Sequence, residues 1–150
     1  LPVQERTSVV HGDYRIDNMI YDANAPKVIA VLDWELSTLG DPLADFTYLL
    51  VNWAMPYEGR SQLLGIDFKG LGSPTMEEAV EIYCARTGRS SIPDLNWYFA
   101  YNLFRLAAIL QGIIGRVRDG TASSARAADQ AARIGPLSAA AWDFARRAGA

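Results

Sequence analysis

Short apolar blocks separated by polar punctuation fill the first part of the chain, and longer stretches of helical spacing fill the rest. Thr7 to Val10 is a β-branched run of strand type that delivers His11 to a loop. Asn18 to Tyr21 reads as the next short strand. Asp22-Ala23-Asn24-Ala25-Pro26 supplies a turn, and Val28 to Leu32 reads as the returning strand, ending at Asp33. The pattern predicts a small hairpin sheet with polar residues gathered at strand ends.

Helical spacing begins at Gly40-Asp41-Pro42, where Asp41 suits the N-cap and Pro42 the first helical position. Leu43, Phe46, Leu49, Leu50 and Trp53 keep the period, and Met55-Pro56 stops it. A long Gly-containing connection over 57–74 ends at Ser73-Pro74. Thr75 with Glu78 forms a capping-box pattern, Ala79, Ile82 and Tyr83 offer a buried face, and Gly88 closes that helix. Asp94 to Val117 is apolar nearly all round, as expected for the central helix of a bundle. Asp119 to Ser124 reads as a loop with a fresh N-cap. The Ala-rich remainder reads as helix, broken or bent at Gly135-Pro136 and ending near Arg147. A small sheet followed by helices is an α+β arrangement.

Composition narrows the function classes. The 150 residues suit one domain with a sizeable core, half of them apolar and about a fifth charged. A formal charge of −3 with no basic block argues against nucleic acid as a partner. Cys84 is the single cysteine, so no intrachain disulfide forms, which fits a reducing, cytoplasmic setting. No apolar run reaches membrane-span length. A second copy of the chain is carried as a candidate partner. The opening Leu1-Pro2-Val3-Gln4-Glu5 reads as entry into the middle of a longer protein.

The candidate chemistry lies in His11-Gly12-Asp13-Tyr14-Arg15-Ile16-Asp17-Asn18, answered by Asp33. An Asp followed five positions later by an Asn is the spacing of a kinase catalytic loop, with a second Asp at the end of the next hairpin strand as the main metal ligand. Phosphoryl transfer needs this set. The alcohol nucleophile is weak, and cations must offset the charge of the migrating group. Structural alternatives are a loop-capping role for Asp13, a turn amide for Asn18 and a strand-end cap for Asp33.

His11-Gly12-Asp13…Asn18, Leu32-Asp33-Trp34-Glu35 and Gly40-Asp41-Pro42-Leu43-Ala44-Asp45 together resemble the aminoglycoside phosphotransferase and choline kinase-like family. The runs 11–20 and 28–42 look more narrowly like the kinase-like domain fused to some acyl-CoA dehydrogenases, and like its stand-alone bacterial relatives. Phe104 to Gly112 and Ala122 to Ala125 extend that likeness along nearly the whole chain. The resemblance implies a protein-kinase-like C-terminal lobe. It also implies an upstream lobe carrying the phosphate-covering loop and a nucleotide lysine. No such lobe fits before residue 11, and neither Lys27 nor Lys69 has a matching context. The chain alone is therefore expected to be inactive.

Under this resemblance Asp13 is the general base, or the group that orients the acceptor hydroxyl. Asn18 and Asp33 bind Mg2+, with ATP or GTP as donor and a small-molecule hydroxyl as acceptor. His11 props the loop, Asp45 reaches back to it through a structural hydrogen bond, and Glu35 stands near the metal or acceptor or is simply exposed. Asp17 is a weak site candidate. Arg15 is expected in a salt bridge, with a phosphate or acceptor contact as the alternative; Arg105 is expected to pair with an internal carboxylate, with an anionic substrate as the alternative; and Cys84 is expected in the core. His11 is the lone histidine, which excludes a two-His metal site. Gly12 stands where many protein kinases keep an Arg that reads a phosphorylated loop, which points to a small-molecule kinase without that switch. Acceptors of hydroxyacyl, choline-like and aminoglycoside type are expected, the first favoured. Trp97, Tyr98, Tyr101 and Phe104 suggest apolar rather than acidic surroundings. The rivals are a pseudokinase or nucleotide-binding module without turnover, and a metal-dependent phosphoesterase.

Overall fold

Short β-branched segments cannot hold themselves extended, so each strand among the described residues is defined by its partner. The computed structural model describes residues 1–55, 63, 65–121 and 131–150. Strands β1 (Ser8–Val10), β2 (Met19–Tyr21), β3 (Val28–Val31) and β4 (Thr38–Gly40) form two antiparallel pairs. β2 pairs with β3 as the expected hairpin, with a register irregularity between Ile20 and Tyr21. β1 pairs with β4, setting Val9 opposite Leu39. β4 was not legible in the sequence: Thr38-Leu39-Gly40 is too short to show a period, and its strand character comes from β1. Single 3-10 turns, Ile16–Asn18 and Trp34–Leu36, lead into β2 and β4.

Helix α1 (Pro42–Ala54) starts as expected, with the Asp41 side chain accepting from the Leu43 N–H at 3.0 Å. It packs against β1. Its buried side chains are Leu43, Thr47, Tyr48, Leu50 and Val51, a stripe turned from the expected one. Phe46 and Trp53 instead lie half-buried, stacked on Tyr83 and Phe68 at 3.9 and 5.7 Å. The helix ends at Ala54 with Met55 as C-cap, and Pro56 lies outside the described residues, as does most of the first part of the 57–74 connection.

Helix α2 (Met76–Thr87) carries the full capping box: Glu78 N–H donates to Thr75 Oγ1 at 3.2 Å, and Thr75 N–H to Glu78 Oε2 at 2.8 Å. Gly88 closes it in the left-handed conformation. Its buried face departs from the sequence reading at Ile82 and agrees with it at Cys84. Cys84 is buried, whereas Ile82 is half exposed. Two cations tie the segment before β1 to the negative end of α2: Arg6 donates to the Thr87 carbonyl at 2.8 Å, and Arg89 pairs with Glu5 at 2.6 Å.

The chain divides into two compact units, Leu1–Leu95 and Asn96–Ala150. In the second, α3 (Leu95–Arg118) buries Tyr98, Phe99, Asn102, Leu103, Ala107 and Leu110 along one stripe. Tyr101, Phe104 and Ile109 are exposed, so α3 is not enclosed all round as its composition suggested. Helix α4 (Ala131–Arg147) buries Leu137 and Ala141, and Phe144 packs on Phe99 with ring centroids 4.9 Å apart. Of the break or bend expected at Gly135-Pro136, the break does not occur: α4 runs through Pro136. Pro136 removes one hydrogen bond to the carbonyl four residues back, and burial of Leu137, the residue that follows it, and of Ala141 one turn on holds the helix across that gap. The fresh N-cap expected at Ala122 to Ser124 lies outside the described residues. Among the described residues no helix is long and apolar enough to cross a membrane.

Candidate active site

The loop between β1 and β2 is held from three sides. From α1, Asp45 accepts the backbone N–H of His11 and, through Oδ1 at 3.0 Å, that of Gly12. From the end of β3, the Leu32 carbonyl lies 2.7 Å from His11 Nε2. From within, Asp13 N–H donates to His11 Nδ1 at 3.2 Å. A carbonyl only accepts and an N–H only donates, so the bonds assign the imidazole proton to Nε2. His11 is 2 % exposed and sits against the ring of Trp34, centroids 4.7 Å apart.

Gly12 is required where it stands. Its φ is +83°, and a Cβ there would lie 2.5 Å from the Leu36 carbonyl oxygen. The close approach lets the 3-10 turn after β3 pack on the loop.

Asn18 fixes Asp13. Its Nδ2 donates to the Asp13 carbonyl at 2.9 Å and to Asp13 Oδ2 at 3.0 Å. Both partners are pure acceptors, so the amide nitrogen must face them and Oδ1 faces the other way. Arg15 Nε lies 3.3 Å from the same Oδ2, and Arg15 Nη1 3.7 Å from Asp17 Oδ2. Asp13 therefore has one oxygen engaged by protein donors and the other, Oδ1, left for a further partner.

Asp33 is brought to this loop through its neighbour. Leu32 N–H donates to the Asn18 carbonyl at 2.8 Å, while the Leu32 carbonyl meets His11. Asp33 follows with φ 69° and ψ 50°, the single non-Gly residue with positive φ among those described. Asp tolerates this region better than most residues, and a strained backbone clusters at functional sites. The turn it makes ends β3 and swings Trp34 onto His11. The Asp33 side chain is exposed and makes no cap hydrogen bond.

Among the described residues no three His, Cys, Asp or Glu side chains gather as a metal site. The donor set available is one amide oxygen, Asn18 Oδ1, and one carboxylate, Asp33. Both are hard oxygen donors, and Mg2+ is commonly held by one or two carboxylates with water and substrate phosphates completing its shell. In donor chemistry these two residues suit that ion, and they are too few for a self-contained two-metal centre. Glu35 is exposed on the 3-10 turn, and Asp17 is exposed in the Arg15 ion pair. Tyr14 flanks the loop, and its hydroxyl pKa is raised above 10.0 by burial, with the Asp45 charge adding to the effect.

The family model described as the phosphotransferase enzyme family matches residues 1–82. The chain belongs to that family. It is 45 % identical over 99 % of its length to acyl-CoA dehydrogenase family member 10 of Mus musculus, covering 14 % of that protein. It is 37 % identical over 97 % to acyl-CoA dehydrogenase family member 11 of Gallus gallus, covering 19 %. Among solved structures it matches a putative aminoglycoside phosphotransferase from Ralstonia eutropha, at 46 % identity and a TM-score of 0.87, over 94 % of this chain and 43 % of that one. The chain thus spans less than a fifth of these two curated relatives and under half of the solved neighbour. The match confirms the α+β phosphotransferase architecture that the motif resemblance implied.

The aromatics of α3 fall into two groups. Tyr98 is buried, whereas Trp97, Tyr101 and Phe104 line an apolar groove of about 680 Å³ with Trp142 and small residues of α4. Sequence reasoning missed two contributors to the site: Gly12 as a steric requirement, and Asp33 as a left-handed turn. A strand reading cannot show positive φ, although an Asp directly after an apolar strand is a residue type that accepts it.

Proposed function

We propose that the full-length protein transfers the γ-phosphoryl group of ATP, or of GTP, to the hydroxyl of a small molecule. Asp13 accepts the hydroxyl proton or orients that group, and Asn18 and Asp33 hold Mg2+, which offsets charge on the phosphates when bound. The observation carrying this reading is the double hydrogen bond from Asn18 Nδ2 to Asp13. It leaves one carboxylate oxygen of Asp13 for an alcohol and turns the Asn18 oxygen away as a ligand. A turn-forming Asn needs no such arrangement. His11 and Asp45 hold the loop, and Glu35 is kept as a peripheral acid.

A hydroxyacyl-type acceptor is favoured over choline-like and aminoglycoside-like alcohols. Two of the relatives bear acyl-CoA dehydrogenase names, and a polycationic acceptor would require an acidic surface. The test is a coupled assay of the full-length protein with Mg2+ and ATP or GTP against all three acceptor classes. Transfer abolished by Asp13→Asn and by metal chelation is the expected result. Nucleotide binding with no transfer to any of them would replace this reading with a binding module that keeps the fold and lacks turnover.

A further inference from the structure

Arg15 is the cation that the structure pairs with Asp13, and its position asks for more than a surface ion pair. Its Nε lies 3.3 Å from Asp13 Oδ2, and its Nη1 reaches only to 3.7 Å from Asp17. The Arg15 side chain is 44 % exposed and that of Asp13 is 21 % exposed. Exposed pairs of this kind are weak, so the guanidinium can leave its partners at little cost. Asn18 Nδ2 already holds Oδ2 at 3.0 Å, so Asp13 keeps its orientation when Arg15 moves.

We propose that Arg15 contacts the phosphoryl group in transit, resting on Asp13 and Asp17 before the donor binds. This rests on the phosphotransferase reading above. In the step, the acceptor oxygen forms a bond to the γ-phosphorus of a nucleoside triphosphate, the bond to the nucleoside diphosphate breaks, and the hydroxyl proton passes to Asp13 Oδ1. An alcohol within proton-transfer reach of Asp13 brings its new phosphoryl group beside that carboxylate. Two anionic groups then share the site, and Arg15 is the cation already there. A guanidinium offers a planar fork of donors that matches phosphate oxygens, a geometry that the single Nε contact to Asp13 leaves unused. Asp17, exposed and one position before the 3-10 turn ends at Asn18, serves as the resting partner of the other nitrogen.

The experiment compares wild type, Arg15→Met and Arg15→Lys in the full-length protein. It measures transfer kinetics with the acceptor that turns over, and binding of ADP, Mg2+ and aluminium fluoride with the alcohol omitted. That complex mimics the phosphoryl group and requires no proton acceptance by Asp13. Arg15→Met is expected to lower kcat about 10²-fold, the usual loss for one donor to developing charge, with the acceptor KM little changed. It is also expected to weaken aluminium fluoride binding while ADP binding alone is retained. Arg15→Lys, which keeps the charge and loses the fork, is expected to fall between the two. A lower kcat with unaltered aluminium fluoride binding would mean that Arg15 acts only by orienting Asp13, which overturns the proposal. Wild-type rates in Arg15→Met overturn it as well. Should wild type transfer to no acceptor, the phosphotransferase reading fails, and the aluminium fluoride comparison still decides whether Arg15 meets a phosphoryl group.

Discussion

Asp45 should matter as much to the stability of the candidate site as any residue that does chemistry there. Its carboxylate takes the N–H groups of two successive residues, His11 and Gly12, at the point where β1 turns into the loop. His11 is buried, so its N–H has no ready replacement from water. Gly12 is half-buried, and water can compensate there in part. A hydrogen bond to a charged acceptor contributes roughly 1.5–3 kcal/mol, and a buried donor left without a partner costs about 1–3 kcal/mol. Asp45→Ala should therefore destabilise the chain by about 2–5 kcal/mol. Asp45→Asn keeps one oxygen and turns an NH2 toward the second N–H, so about 2–3 kcal/mol is expected. Urea denaturation of the three proteins measures the totals. Amide hydrogen exchange at His11 and Gly12 localises the effect, and both amides should exchange faster in either variant. Loss below about 0.5 kcal/mol in Asp45→Ala, the range of an uninvolved surface change, with unaltered exchange at those amides, would refute the claim that α1 anchors the loop.

Three further outcomes follow from local geometry. Gly12→Ala forces a side chain into positive φ and against the Leu36 carbonyl; it should cost at least about 1–3 kcal/mol, read as a lower denaturation midpoint. Thr75→Ala removes half of the capping box of α2 and should cost about 1 kcal/mol in the same measurement. Tyr14 has a raised pKa, so the folded state holds its proton more tightly than the unfolded chain, whose tyrosine titrates near 10.0. The stability this contributes is fully present below that value and is lost as pH rises from there through the folded pKa. Tyr21 and Tyr83 shift the same way, so Tyr14→Phe should flatten only part of the alkaline decline in unfolding free energy measured from pH 9 to 11.5.

What could be read from the sequence divides along a physical line. Helix boundaries set by local chemistry were legible: Asp41 before Pro42, the Thr75 and Glu78 box, and Gly88 after Thr87 each act within a few residues of chain. Features fixed by distant partners were not. β4 is a strand because β1 lies beside it, and the stripe that α1 buries depends on what packs there rather than on its apolar period. Pro136 looked like a break by local rules, yet α4 passes through it. Within the motif 11–18 the loop is short enough for Asn18 to reach Asp13, so that contact too is local.

The three attachments of the loop explain why its chemistry-bearing residues are spread along the chain in this way. Asp13 is reached by Asn18 from within the loop, while Asp45 grips the two residues before it from α1. Leu32 binds the loop twice, through its N–H to Asn18 and its carbonyl to His11, and so places the next residue, Asp33, at the same edge. Moving Asp33 by one position would lose the left-handed turn that carries Trp34 onto His11. The spacing between Asn18 and Asp33 can vary only where the hairpin turn at Asp22 to Pro26 absorbs the change. Length variation among active relatives should therefore fall in that turn, and an inserted residue between Leu32 and Asp33 should abolish transfer while an inserted glycine after Asn24 leaves it intact.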